Sequence, residues 1–210
     1  HLERLMEENQ YDTIYHEHFS YFSLVTVEKI FAARGLTVFD VEEIPTHGGS
    51  LRIYIRHAED AAKAVTSAVE SLRRRELANK LDRMETYNSF SEQVQESKRA
   101  LLELLIRSRR EGKRVAGYGA PGKGNTLLNY CGIRTDFMEF TVDRNPYKQG
   151  CFLPGTHIPI YPTSRIAEVR PDYILILPWN LKAEIMSQLA YVRDWGAKFI
   201  VPIPTAEVLD

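Results

Sequence analysis

The stretch "RVAGYGAPGKGNTLLNYC", residues 114–131, decides the fold. A short apolar run, "RVAGYGA", reads as a strand that enters a glycine-rich turn, and "KGNTLLNYC" reads as the helix after it. Gly117, Gly119 and Gly122 fit the pattern G-x-G-x-x-G, with Gly124 two positions on. Glycines let such a turn tighten and let backbone approach an anion, while the following helix directs its N–H groups at a phosphate. Lys123 adds a full positive charge at the same place, with Asn125 beside it. The loop is not of the Walker A type, because Asn125 and Thr126 follow Lys123-Gly124 in place of the required Lys-Ser/Thr after four spacer residues.

Working outward, "FMEFTVD" reads as a second strand, "HIPIYP" as a short extended piece, and "TSRIAEVR" as a helix with Thr-Ser as its caps. "PDYILILP" is almost wholly apolar, as a strand covered on both faces must be. "LKAEIMSQLAYVRDWG" reads as a helix and "AKFIVPIP" as a last strand. Strands alternating with helices predict an α/β fold with a parallel, Rossmann-like sheet over 112–210. Residues 58–111 contain no glycine or proline and are rich in Ala, Glu, Arg, Leu and Lys, which predicts one or two long helices with a break near "METYNSFS". Ahead of them, "SLVTVEKIFAAR" is an amphipathic helix stopped by Gly35, and "LTVFDVEEI" and "SLRIYIRH" are strands around the turn "PTHGGS". The expected organisation is therefore 1–57, a helical connector 58–111, and a nucleotide-binding domain 112–210.

Bulk properties narrow the function classes. The 210 residues carry a formal net charge of −1, with 44% hydrophobic and 26% charged residues, ordinary values for a globular chain. Nothing in this balance favours nucleic acid or a membrane surface, and acids interleave with bases even in "SLRRRELANKLDR". The polar start has no signal-peptide character and lacks an initiator methionine, so the chain is expected to be a piece of a longer one. Cys131 and Cys151 form neither a metal-type pair nor a disulfide framework and read as free thiols in the cytoplasm.

Further residues carry candidate chemistry. Asp143 closes the second expected strand about twenty residues after the loop, where a ribose-binding acid belongs. Arg144, Asn145 and Lys148 follow it, suited to phosphate or sugar hydroxyls, although Asp143 would serve equally as a turn cap. Trp179 and Asn180 follow a buried strand at its carboxyl end, where open α/β sheets bind ligands; stacking on a base or packing the interior both suit the tryptophan. Near the front stands "YHEHFS", residues 15–20. His16 and His18 lie on one face of an extended segment, but no H-x-x-x-H or H-E-x-x-H spacing accompanies them and only His47 is a nearby third ligand, so no metal is expected there. His47 itself reads as an exposed turn residue. A polar loop and a proton-transfer site remain: imidazole titrates near neutrality, a carboxylate can orient it, and a phenol can donate to a developing oxyanion. The residues alone do not choose between the two histidines.

Taken together, "YHEHFSYFSL", "PTHGGSLRIY", "YGAPGKGNTLLNYCGI", "VDRNPYKQG…PGTHIPI" and "ILILPWN" resemble, in order, the C-terminal half of the SAM-dependent sugar C-methyltransferases, which methylate a carbon of nucleotide-linked deoxyketosugars. The resemblance implies His18 as the base, with Tyr15 and Glu17 assisting at the sugar and His16 structural. It implies a nucleotide-sugar substrate, dTDP-linked, held by the 112–210 domain, with 1–57 as the tail of the methyltransferase domain. S-adenosyl-L-methionine is implied as cofactor, bound mainly by a region this chain does not show, and zinc only in a further N-terminal domain bearing a cysteine cluster. The chain alone is expected to be inactive. An NAD(P)-dependent oxidoreductase or a nucleotide-binding regulatory domain is the alternative reading of the same loop. Self-association through the helical 58–111 segment, giving a homodimer, is compatible with either.

Overall fold

The computed structural model describes residues 1–210, which fall into two compact units: residues 1–10 with 18–93, and residues 11–17 with 94–210. The expected helical connector is thus divided between them, and the "YHEH" stretch is parted between Glu17 and His18.

The first unit opens with α1 (Leu2–Glu7), followed by α2 (Leu24–Ala32), β1 (Leu36–Ile44), β2 (Ser50–His57) and α3 (Ser67–Ala78). Ser23 caps α2 by accepting from the Thr26 N–H at 3.2 Å. Its first two N–H groups are held by Glu76, whose carboxylate accepts from Leu24 N at 2.8 Å and from Val25 N at 2.9 Å. That negative charge lies at the positive end of the helix dipole, so a fully buried glutamate is stable there. β1 and β2 form an antiparallel hairpin with a bulge between Val38 and Asp40. Its inner face packs Val38, Val41, Leu51 and Ile53 against Leu24, Val27, Val69 and Leu72. Both strands cover the ranges read from the sequence.

The region after β2 departs from the sequence reading. Residues 58–66 are not helical; Thr66 donates to Asp40 Oδ1 at 2.7 Å and α3 starts after it. The helical break falls at 79–83, before "METYNSFS", which belongs to α4 (Met84–Arg110). At the break Lys80 adopts φ +56°, and Leu81 turns in to join a cluster with the sequence-distant Leu5 and Met6.

The second unit is built on a six-stranded sheet: β3 (Val115–Tyr118), β4 (Thr141–Val142), β5 (Ile160–Tyr161), β6 (Tyr173–Ile176), β7 (Lys198–Val201) and β8 (Glu207–Leu209), in the order β5-β4-β3-β6-β7-β8. The first five are parallel, and β8 is antiparallel to β7. Helices α5 (Gly122–Cys131), α6 (Arg165–Val169) and α7 (Lys182–Gln188) connect them. This is the α/β, Rossmann-like arrangement read from the sequence. The chain winds outward from β3 on one side and then returns to lay β6 on its other side, so the strand order reverses between β3 and β6. Two local expectations fail: Ser164 makes no side-chain cap to α6, and the predicted 181–196 helix ends at Gln188 and continues as a 3₁₀ segment, Ala190–Trp195. The three-residue β8 carries no periodic signal and was not expected.

Replacing Glu76 with Ala removes both acceptors at the head of α2 and leaves its N–H groups buried and unpaired. The expected loss is roughly 2–4 kcal/mol in urea denaturation, larger than the ~1 kcal/mol expected for Ser23→Ala, which removes one cap bond.

Candidate functional site

The reversal of strand order puts the carboxyl ends of β3 and β6 side by side, and both carry residues singled out in the sequence. At the end of β3, Gly119 takes φ +89°, and a Cβ there would lie 2.7 Å from Pro178 Cδ, just beyond β6. A Cβ on Gly124 would lie 2.8 Å from Leu177 Cβ, and one on Gly117 would lie 2.7 Å from both Met138 Sδ and Thr141 Oγ1. Three of the four glycines therefore let the turn and α5 seat directly on neighbouring strands. Gly122 differs: its missing Cβ leaves room for the ring of Tyr15, which would come within 3.4 Å.

Asp143 fastens this turn from the β4 side. Its Oδ2 accepts from Ala120 N at 2.7 Å and its Oδ1 from Asn145 N at 2.8 Å. Lys148 donates to Ala120 O at 2.9 Å and lies 3.7 Å from the Asp143 carboxylate. Asn145 in turn accepts from Tyr147 N at 3.0 Å, while the exposed Arg144 lies 3.9 Å from Glu184. The acid in the ribose position is thus a clasp on the turn, the second of the two roles its sequence context allowed. Each carboxylate oxygen thus already accepts one backbone N–H.

Residues 11–17 belong to this unit through two buried anchors. Tyr11 lies 3.6 Å from Cys131 Sγ through its hydroxyl and packs at 5.3 Å on the ring of Tyr130. Asp12 is fully buried, and its Oδ2 accepts from the indole Nε1–H of Trp179 at 2.7 Å. Lys123 stands over the same indole, 4.1 Å from its centroid, and donates to Asn180 Oδ1. Burial pushes the Asp12 carboxyl up to about 6, against the opposing pull of the Trp179 bond and the Lys123 charge. Burial likewise lowers the Lys123 ammonium, while Asp12 raises it. Trp179 is buried, with its polar edge committed to Asp12, so in this structure it packs the interior.

These anchors deliver Tyr15, His16 and Glu17 to a cleft of about 230 Å³, whose other wall is the head of α5: Ala120, Pro121, Gly122, Asn125 and Thr126. No side chain caps α5. Asn125 Oδ1 is buried there without a hydrogen-bond partner. Burial, with the charges of Glu17 and Asp12, raises the pKa of the Tyr15 hydroxyl, which keeps it a donor at neutral pH. The cleft therefore joins a phenol, an imidazole and a carboxylate to a helix N-terminus. His18 belongs to the other unit, where it is exposed and edge-on to Tyr21 at 6.2 Å; His47 is an exposed turn residue with φ +57°. Tyr11 and Asp12 were not foreseen. Their partners lie 120 and 167 residues away, and the only local sign was a lone acid within "QYDTIY".

Comparison with known proteins follows this geometry. A family model described as the C-methyltransferase C-terminal domain matches residues 45–204. This chain belongs to the C-methyltransferase family. It is 39% identical over 208 residues to the C-methyltransferase NovU of Streptomyces niveus, covering 99% of this chain and 49% of that protein. The chain thus spans about half the length of that relative. In this C-methyltransferase segment the Gly-rich turn, Asp143 and Trp179 lie inside the matched domain, whereas Tyr15–Glu17 precede it.

Asp12 gives this segment a measurable pH signature. An acid with a folded pKa of about 6, above its ordinary 3.8, favours folding when protonated. That contribution is complete below pH 4 and is lost as pH rises through 6. Asp12→Asn is expected to abolish this decline, worth up to roughly 3 kcal/mol, when urea stability is followed by tryptophan fluorescence between pH 4 and 7.5.

Proposed function

We propose that this chain is the substrate-holding half of an S-adenosylmethionine-dependent C-methyltransferase acting on a nucleotide-linked deoxyketosugar, dTDP-linked. Family membership supports the reaction class. The observation that carries the substrate reading is the shared cleft: one wall suits an anion, and the other suits an enolisable ketone.

The diphosphate sits at the uncapped head of α5, where helix N–H groups and the Lys123 ammonium favour negative charge. The Asp12–Trp179 pair fixes one face of Lys123, so its charge is held in place before ligand arrives. The carbon beside the sugar ketone must lose a proton before it can form a bond to a methyl group. The base in this reading is His18, as the family resemblance implies, with Glu17 assisting at the sugar. As the proton leaves, negative charge builds on the ketone oxygen, and the Tyr15 hydroxyl donates to it. S-adenosylmethionine supplies the electrophilic methyl group. No helix of the chain is long and apolar enough to cross a membrane.

Two measurements test the reading. dTDP should raise the melting temperature of the chain in a saturable way, and Lys123→Ala should weaken its binding by roughly tenfold, the scale of one lost charge-assisted contact. Absence of any shift at millimolar dTDP removes the anion site. In the full-length enzyme, His18→Ala should lower kcat by roughly 10²–10⁴-fold and Tyr15→Phe by a smaller factor, both with little change in KM. Wild-type kcat in His18→Ala excludes it as the base.

A further inference from the structure

A buried cluster in the first unit has no part in the chemistry above. His1 Nε2 lies 3.5 Å from Glu76 Oε1 and 3.8 Å from Glu3 Oε2. The three side chains are 2%, 0% and 1% exposed, respectively for His1, Glu76 and Glu3. The carboxylates are otherwise well served: Glu76 accepts from Leu24 N and Val25 N, and Glu3 accepts from Arg75 Nε at 2.9 Å and Asn79 Nδ2 at 2.9 Å. The imidazole is not, since His1 Nε2 is buried with no hydrogen-bond partner.

The distances discriminate between two arrangements. A protonated imidazole paired with a carboxylate closes to about 2.7–2.9 Å. The observed separations are well beyond that, and the three ligand atoms all lie within 4.8 Å of one another. Ligands about 2.1 Å from a tetrahedral zinc ion lie about 3.4 Å apart along each edge. The imidazole nitrogen thus stands from both carboxylates near the edge length of a zinc coordination sphere. Charge points the same way. Two carboxylates are buried here: Glu3 is bonded to Arg75, which is 44% exposed and shared with Glu43, while Glu76 is bonded only to backbone N–H groups. The α2 N–H groups compensate one of these charges in part, and a bound cation would complete the compensation of both.

We propose that His1, Glu3 and Glu76 form a binding site for a divalent cation of the zinc class. The ion takes one imidazole nitrogen and two carboxylate oxygens and leaves a fourth position to water. The Arg75, Asn79 and backbone donors act as the outer shell that fixes the carboxylates. Because its ligands come from the start of α1 and from α3, and Glu76 also caps α2, the ion pins three helices of the unit. It is structural, and separate from the zinc that the family resemblance places in a cysteine-bearing domain.

The test uses the chain stripped with EDTA, with one glycine placed before His1 so that no terminal amine can chelate through that residue. Titration with ZnCl₂ alone should give saturable binding at one ion per chain and a rise in melting temperature. His1→Asn and Glu3→Gln should each weaken binding by roughly tenfold or more. Glu76 is left intact because its loss uncaps α2. Absence of stoichiometric binding overturns the site, as does binding that survives both substitutions. Should Glu3→Gln fail to fold without metal, His1→Asn decides alone.

Discussion

The hydrogen bond between the Trp179 indole and the buried Asp12 carboxylate is the contact on which the site depends. It joins residues 167 apart in the sequence and does so without access to water, where a charge-assisted bond is strong and its loss leaves a stranded acid. Through it, a segment of seven residues, 11–17, becomes part of a unit otherwise built from residue 94 onward. Tyr15, His16 and Glu17 face the head of α5 because Tyr11 and Asp12 are fixed below it. The same indole supports Lys123 on its ring face, so one aromatic side chain organises both the segment and the cation.

The glycine-rich turn follows a related logic. Three of its glycines are required by steric closeness to Pro178, Leu177 and the Met138–Thr141 pair, before any ligand is considered. Asp143 and Lys148 then clasp Ala120 from both its N–H and its carbonyl. A turn held this tightly is preorganised: no rearrangement is needed for the α5 N–H groups to meet an anion, and binding energy is not spent on ordering. Only Gly122 leaves space toward the cleft, and Tyr15 occupies it.

Much of the fold was legible because its signals are local. The alternation of β2, the amphipathic pattern of α2 and the apolar run of β6 each reflect a periodicity or a single residue type. The order of strands and helices after residue 112 identified the sheet. What was not legible shares a physical cause: the exact place of the helical break, 79–83, and the short antiparallel β8 depend on tertiary neighbours, such as the cluster that receives Leu81. The site was legible as a set of residues but not as an arrangement. Asp143 and Trp179 each allowed a ligand role or a structural one; Asp143 clasps Ala120 and the Trp179 indole bonds Asp12, contacts between distant residues that no local pattern encodes. Asp12 and His1 carried no pattern at all, since a buried ionisable group is recognised only by what surrounds it.

β8 has a consequence for solubility. β7 places Phe199, Ile200 and Val201 fully out of water, and β8 covers its outer side over three residues. The flank of β8 is charged, with Lys182 on Glu207 and Lys198 on Asp210. Without that last strand the sheet would end in a greasy, unsatisfied ladder of N–H and C=O groups, the shape that recruits other chains edge to edge. A three-residue border thus works as a guard against fibrous self-templating, in a place remote from any chemistry.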